Sequence, residues 1–382
     1  MSVGTKPSQT YTNRKTMAVE PILASSLWTA DKTSDSFEPP AKKRRLATGC
    51  AQIDESLSGG FDYGSISCIS SEAESGGKEL SYSLIATHLL LSSRCEATIV
   101  DTTNSFDVRR LHKRLVCGLQ ERTNGGDEKG QAVQVLDRVR IMKAFDFVGM
   151  TECVAELRGS LESCEQETSQ REPEFSSKEP GAPGPRGTVS DSEDEADMLD
   201  DIAPTPPNTP PPPSPKPTEP EDIPPEAHPQ HLLVIDNITY VASPIIKTSH
   251  VQGQALLATF MRSLAHLTRA QHICTILHNA VMTYQPKSPN TEPTPSIFSS
   301  CTLRPALGRS FAYLLDTHLL LHRLPLTAAD AKSVYAAHSA IPKSNERMAS
   351  VLEVLQDRHS DRVGHWSAFR ADPDGKLAGI SA

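Results

Sequence analysis

Residues 173–229 read PEFSSKEPGAPGPRGTVSDSEDEADMLDDIAPTPPNTPPPPSPKPTEPEDIPPEAHP, and about 17 of the chain's 30 prolines fall in that run. Thirty prolines are too many for one compact core. The run offers few apolar side chains to bury, so it is expected to stay disordered, with local polyproline character. It splits the chain in two. Residues 1–47 are polar and Ser/Thr-rich and read as a tail. Setting both aside leaves roughly 270 residues, enough for one good-sized α/β domain.

The insertion also explains the net charge of −9. Residues 160–230 carry about 17 acids and 4 bases, so the remainder is near +4. That permits a nucleic-acid partner without demanding one. The eight cysteines are scattered singly and include no CxxC pair, so zinc is not expected; reduced, buried thiols are. The longest apolar run, SLIATHLLL, is far short of a membrane span, and no membrane partner is expected. Within the tail, PPAKKRRLA holds Lys42, Lys43, Arg44 and Arg45. Such a run suits a nuclear import receptor and a nuclear location; a solvated basic patch or a DNA-contacting arm are the other readings. EPILASSLWTA, residues 20–30, places Ile22, Leu23, Leu27 and Trp28 in near-helical spacing, to dock on the domain or on a partner.

From residue 48 the pattern is that of an ordered core. A short helix (51–57) and a Gly-Gly turn lead to an apolar strand (65–70). After a loop, Leu80, Leu84, Ile85, His88 and Leu89 share one helical face. Then come a strand (97–102), the basic helix FDVRRLHKRLVCGL, a strand (139–145) and a helix from about Thr151. Beyond the insertion follow a strand (231–238), an amphipathic helix (253–271), a strand (272–281), a Pro/Ser/Thr loop (282–302) and late strands at 310–324 and 350–370, the last a hairpin. Alternating strands and helices, with strands apolar on both faces, predict a mainly parallel sheet flanked by helices.

The segment SSEAESGGKEL, between strand and helix, has the setting of a phosphate-binding loop. Such a loop needs glycines for close backbone approach, a lysine for the β and γ oxygens, and a hydroxyl for Mg²⁺. Gly76, Gly77 and Lys78 fit. The first glycine position falls on Glu72, or on Ser71 if the loop is one residue longer, and Glu79 replaces the hydroxyl. Glu72 and Glu74 add like charge. A second site fits the first: LLVID ends an apolar strand at Asp236, placed to hold Mg²⁺ through water.

Five blocks, in order, resemble the core of the RecA-like recombinases, the eukaryotic strand-exchange protein and its paralogues. TGCAQIDESLSGGFDYGSI resembles the family's T-G-x-x-x-L-D-x-x-L-x-G-G-x-x-x-G-x-I entry through Thr48, Gly49, Asp54, Leu57, Gly59, Gly60, Gly64 and Ile66. VDTTNSFDVRRL, LLVIDNITYV, RPALGRSFAYLLDTHLLLHR and VLEVLQDRHSDRVGHWSAFR resemble later blocks. The resemblance implies a RecA-like phosphate-loop core in two parts, 48–159 and 231–370, around an insertion at 160–230, with a late antiparallel hairpin and a C-terminal tail at 371–382. It implies ATP and Mg as cofactors.

Three hydrolysis parts depart from the family's pattern. Thr103 stands where the family's water-polarising Glu is expected, Glu79 where the Mg²⁺ hydroxyl is, and Ala280 where the Gln after the sensor Asn279 is. Loss of a positioned general base costs about 10²–10⁴ in rate. Efficient ATP hydrolysis is therefore not expected, and a bound ATP would be a structural ligand. The family's single-stranded-DNA loops correspond to 242–254 and 282–302, with one lysine each, Lys247 and Lys287, a thin footprint. The basic run Arg109, Arg110, His112, Lys113, Arg114 is denser, and reads as a solvated face or a DNA contact. Thr205, Thr209, Ser214, Ser190 and Ser192 suit proline- and acid-directed kinases, unless the insertion is passive. The resemblance implies a nuclear mediator of double-strand-break repair that binds sister paralogues, the recombinase and single-stranded DNA. A weak DNA-dependent ATPase and a RecA-fold scaffold of the Elongator kind are the alternatives.

Overall fold

The computed structural model describes residues 44–122, 126–170, 230–284, 295–336, 348–372 and 374–380. Lys42, Lys43, Lys287, the 20–30 segment, the proposed phosphorylation sites and most of the insertion lie outside the described residues.

Two short strands, β1 (Arg45–Leu46) and β2 (Phe61–Asp62), form an antiparallel ribbon around helix α1 (Ala51–Ser56). The main sheet then alternates with helices: β3 (Ser65–Ser71), α2 (Gly77–Leu91), β4 (Glu96–Asp101), α3 (Val108–Gln120), α4 (Glu128–Leu136), β5 (Val139–Lys143), α5 (Phe147–Gln170) and β6 (His231–Asp236). The second part adds α6 (Ile238–Thr248), α7 (His250–Ala270), β7 (Cys274–Thr283), β8 (Leu303–Pro305), α8 (Gly308–Ala312), β9 (Thr317–Pro325), α9 (Ala328–Ala336), β10 (Met348–Asp357), β11 (Trp366–Ala371) and β12 (Leu377–Ile380). The strand order is β12-β11-β10-β9-β3-β7-β6-β4-β5, with β8 paired to β7. From β9 to β5 the pairings are parallel; β9–β10, β10–β11 and β11–β12 are antiparallel. This is the expected α/β fold, a mainly parallel sheet flanked by helices with late antiparallel strands.

The apolar strands follow from burial on both faces. Side chains alternate across a strand. In β6, Leu232 and Val234 join the core under α2 and α3, while Leu233 and Ile235 join the opposite core under α5, α6 and α7. The helix starts use local chemistry. Asp107 caps α3 by accepting from the N–H groups of Arg109 and Arg110, and Asn237 caps α6 by accepting from Thr239 N–H.

Several boundaries differ from expectation. The ordered fold starts at Arg45 rather than at 48, because Leu46 is fully buried and Arg45 Nε donates to Asp62 Oδ1 at 2.7 Å. One arginine of the basic run therefore belongs to the fold, while Arg44 is exposed. α5 continues past 160 to Gln170. The expected C-terminal tail contains β12, which pairs with β11 and buries Leu377. The late strand begins at Thr317, since Gly308–Ala312 is helical. Segment 242–254, expected as a DNA-binding loop, is the junction of α6 and α7. Gly253 permits that junction: a Cβ there would sit 2.6 Å from Ile246 Cα. The turn is legible only once the two helices are in place.

Candidate functional site: the glycine-rich loop

β3 delivers the chain to the C-terminal edge of the parallel strands, where the loop 72–76 turns into α2. The turn is tight. Glu72 O accepts from both Ser75 N–H and Ser75 Oγ–H, and Glu72 N–H donates to Leu321 O of β9. Glu74 and Gly76 take positive φ of 61° and 91°. Gly76 is the N-cap of α2 and no side chain caps that helix. A Cβ on Gly77 would lie 2.9 Å from Ser71 Oγ, so Ser71 packs behind the loop.

Lys78 does not project freely. Its Nζ donates to Ser105 Oγ at 2.9 Å, and Ser105 Oγ is 2.6 Å from Thr103 Oγ1. Thr103 in turn donates N–H to Asp101 Oδ1 at 3.1 Å. Asp101 is buried and also receives N–H bonds from Ser105 and Phe106. The turn after β4 is thus organised around Asp101, and Thr103 is one of its ligands rather than a base. Glu79 faces sideways: its Oε1 pairs with Arg110 Nη2 at 2.6 Å, with the Arg110 guanidinium 5.4 Å above the Tyr82 ring.

Asp236 sits level with Asp101 in the β4–β6 register, at the same edge of the sheet. It is close enough to bias its neighbours. Burial pushes the His278 imidazole down, Asp236 opposes this and Lys78 adds to it. Burial raises the Tyr82 phenol, and Asp236 contributes to that rise against Arg110. His278 is a neutral, buried ring within hydrogen-bond distance of Ser81 Oγ.

Asn279 is one strand away and fully buried. Its Oδ1 accepts from Thr239 Oγ1 and its Nδ2 donates to Ser70 Oγ at 2.8 Å. Both ends of the amide are engaged, the oxygen by α6 and the nitrogen by β3. Lys78, Thr103, Glu79 and Asp236 therefore gather around the loop, whereas Asn279 is locked below it. Lys247 stands exposed in the last turn of α6. The basic run on α3 is largely committed: Arg110 to Glu79, Lys113 to Asp374 at 2.7 Å, and Arg114 to the interior.

Glu79 is already paired with Arg110, and no cluster of three metal-ligating side chains exists among the described residues; Asp236, opposite Asp101 at the strand ends, is the carboxylate left to hold Mg²⁺ through water. One cation, Lys78, and the uncapped first turn of α2 suit a phosphate. Glu72 and Glu74 oppose it.

Sequence reasoning missed Ser105 and Tyr82, and read Arg110 as part of a solvated face or a DNA contact rather than as the partner of Glu79; these roles depend on α2 and α3 lying side by side. It also missed a stacked pair on the β7–β8 ribbon, with the Arg304 guanidinium 3.5 Å from the Tyr284 ring centre. Those two residues flank the Pro/Ser/Thr loop and meet only through strand pairing.

The chain is 21% identical over 276 residues to "DNA repair protein RAD51 homolog 4" of Bos taurus, covering 72% of this chain and 60% of that protein. It thus spans 60%, less than two thirds, of the relative's length. A crystal structure of the RadB recombinase superposes with a TM-score of 0.48 at 17% identity, covering 88% of this chain and all of the other. No family model matches. The fold defines an α/β core with a glycine-rich strand–loop–helix at its edge. The sequence likeness is a distant one, to the RecA- and RAD51-like recombinases. No helix among the described residues is long and apolar enough to cross a membrane.

Proposed function

We propose that this chain is a divergent recombinase paralogue that acts in the nucleus as a mediator of homologous-recombination repair, holding sister paralogues, the recombinase and single-stranded DNA. The observation that carries the reading is the state of the loop. The strand–loop–helix is present, while Thr103 and Glu79 at two of the altered positions, and the sensor Asn279, are held in structural contacts: Thr103 on Asp101, Glu79 on Arg110, Asn279 between Thr239 and Ser70. A paralogue of this kind contributes a surface rather than a turnover.

One surface supports the partner half of the reading. Among the described residues β5 has a strand neighbour on one side only, and Ile141 within it and Phe145 and Val148 just after it are 36%, 75% and 63% exposed. Such an edge is a template for a strand from another chain, and the exposed Arg140 and Lys143 on it favour an acidic one. Lys247, Lys287 and the Tyr284–Arg304 stack are assigned to single-stranded DNA, where aromatic side chains tolerate any base. Nuclear import is assigned to Lys42, Lys43 and Arg44.

The test is purification of the full chain from nuclear extract, with bound nucleotide assayed in the same sample. Recombinase-type paralogues as stoichiometric partners, lost on Phe145→Asp, are expected. Subunits of a tRNA-modification complex in their place would replace this reading with the scaffold one. For the loop, ATP is expected to bind with little metal support. Removing Mg²⁺ with a chelator should change the affinity less than about twofold, since Asp236 is the one carboxylate left to hold Mg²⁺. Lys78→Ala should abolish binding, and turnover should be undetectable in both proteins. Magnesium-dependent hydrolysis that vanishes with Lys78→Ala would restore the ATPase alternative.

A further inference from the structure

The antiparallel strands touch two functional segments at once, on opposite faces. On one face lies the glycine-rich loop. Leu321 O of β9 accepts from Glu72 N–H, and Arg323 Nη1 lies 3.5 Å from Glu74 Oε2. Ser350 of β10 and Phe369 of β11, partners in register, close on Gly76: Ser350 Oγ and the Phe369 ring are each 3.1 Å from where a Cβ would sit.

The other face holds the return leg of the Pro/Ser/Thr loop. Glu353 of β10 is 1% exposed, and it accepts from Ser296 Oγ and from Ile297 N–H, each at 2.6 Å. Phe298 packs edge-on against both His322 of β9 and Trp366 of β11, with ring centres 5.3 Å apart in each case. Glu353 and Trp366 are again partners in register. Side-chain alternation makes this arrangement: Leu321 and Arg323 serve the loop while His322 serves the leg. Likewise Ser350 faces the loop while Glu353, three residues on, faces the leg.

The direct route between the two segments, along β7, is closed. Asn279 is bonded at both ends, to Thr239 of α6 and to Ser70 of β3, and the Ala280 methyl is too short to span the gap. We propose that β9, β10 and β11 are the coupling element, with Glu353 as the positioning residue that seats the leg and transmits its state to the glycine-rich loop. This rests on the assignment of the 282–302 segment to DNA, and makes the loop and that segment report on each other through one rigid plate.

Amide hydrogen exchange on the full chain tests it. Glu353→Gln should raise exchange in residues 296–298 by about tenfold and in 72–77 by about threefold, leaving β5 unchanged. Ser296→Ala, on the leg itself, should give the same pattern more weakly and serves if the first variant does not fold. Arg323→Ala, on the far face, should raise exchange at 296–298. A leg that loosens while 72–77 keeps wild-type exchange in every variant overturns the proposal. An ATP arm is read separately: no protection of 72–78 in the wild type would count against nucleotide binding, while the coupling is judged by the variants alone.

Discussion

Between pH 7.5 and pH 5 the folded chain is expected to lose most of its stability, in a transition controlled by histidines. Burial holds His88, His231, His318 and His322 each down to about 4. Their contacts fit a neutral ring. His88 bridges the Tyr63 hydroxyl and Glu96 O, His231 meets Thr98 Oγ1, and His318 meets Ser70 Oγ. The carboxylates of Glu96 and Glu353, 4.0 and 3.9 Å from His231 and His322, therefore form no ion pair at neutral pH. Unfolding returns each ring to its ordinary value of 6.5. The unfolded state then binds more protons between pH 6.5 and 4, so stability is whole above 6.5 and falls as pH drops to 4. Each group contributes about 1.4 kcal/mol per pH unit, and four together at most about 8 near pH 5. A domain holds only about 5–15 kcal/mol in all. Asp54 works the other way, since burial raises its carboxyl, but it is one group against four. Urea unfolding at pH 7.5, 6.5 and 5.5 measures the slope. His322→Phe should reduce it by about one proton; a stability that stays level from 7.5 to 5 would refute the assignment.

Arg362→Met should cost about 3–5 kcal/mol, the loss typical of breaking a buried ion pair from one side. Arg362 is 3% exposed. Its guanidinium donates to Asp357 Oδ2 at 2.5 Å, to Leu57 O at 2.7 Å and to Asp62 Oδ2 at 3.4 Å. It ties the β10–β11 turn to the end of α1 and to β2. Burial pushes the Asp357 carboxyl up, and Arg362, Ser360 Oγ and His359 N–H more than reverse this, holding it at about 2. A depressed carboxylate stabilises the fold above its ordinary 3.8, and that contribution disappears as pH falls towards 2. In the variant the buried carboxylate keeps no cation, so Asp357→Asn added to Arg362→Met should recover part of the loss at pH 7.5. Chemical denaturation of the four proteins of this cycle gives the coupling directly. No recovery would mean that Asp357 is not the group left stranded.

Much of the architecture is written locally. Burial on both sheet faces forces apolar strands such as HLLVID, and the glycine pair before Lys78 marks the strand-to-helix turn. Both depend on neighbours in sequence, so both are legible. The basic run on α3 was not legible in the same way. Arg109 to Arg114 reads as one positive stripe, but Arg114 turns inward and Arg110 and Lys113 meet acids from α2 and the C-terminal segment.

The order of strands and helices, the place of the glycine-rich loop and the identities of Glu79, Thr103 and Ala280 belong to the sequence alone. What those side chains touch was decided by the tertiary structure. Glu79 acquires Arg110, Lys78 acquires Ser105, and Glu353 acquires the leg at Ser296, 57 residues away. The physical reason is that a side chain's identity is carried by one position. Its charge state, partner and direction are set by elements that arrive from elsewhere in the chain, and only the folded sheet brings them within hydrogen-bond reach.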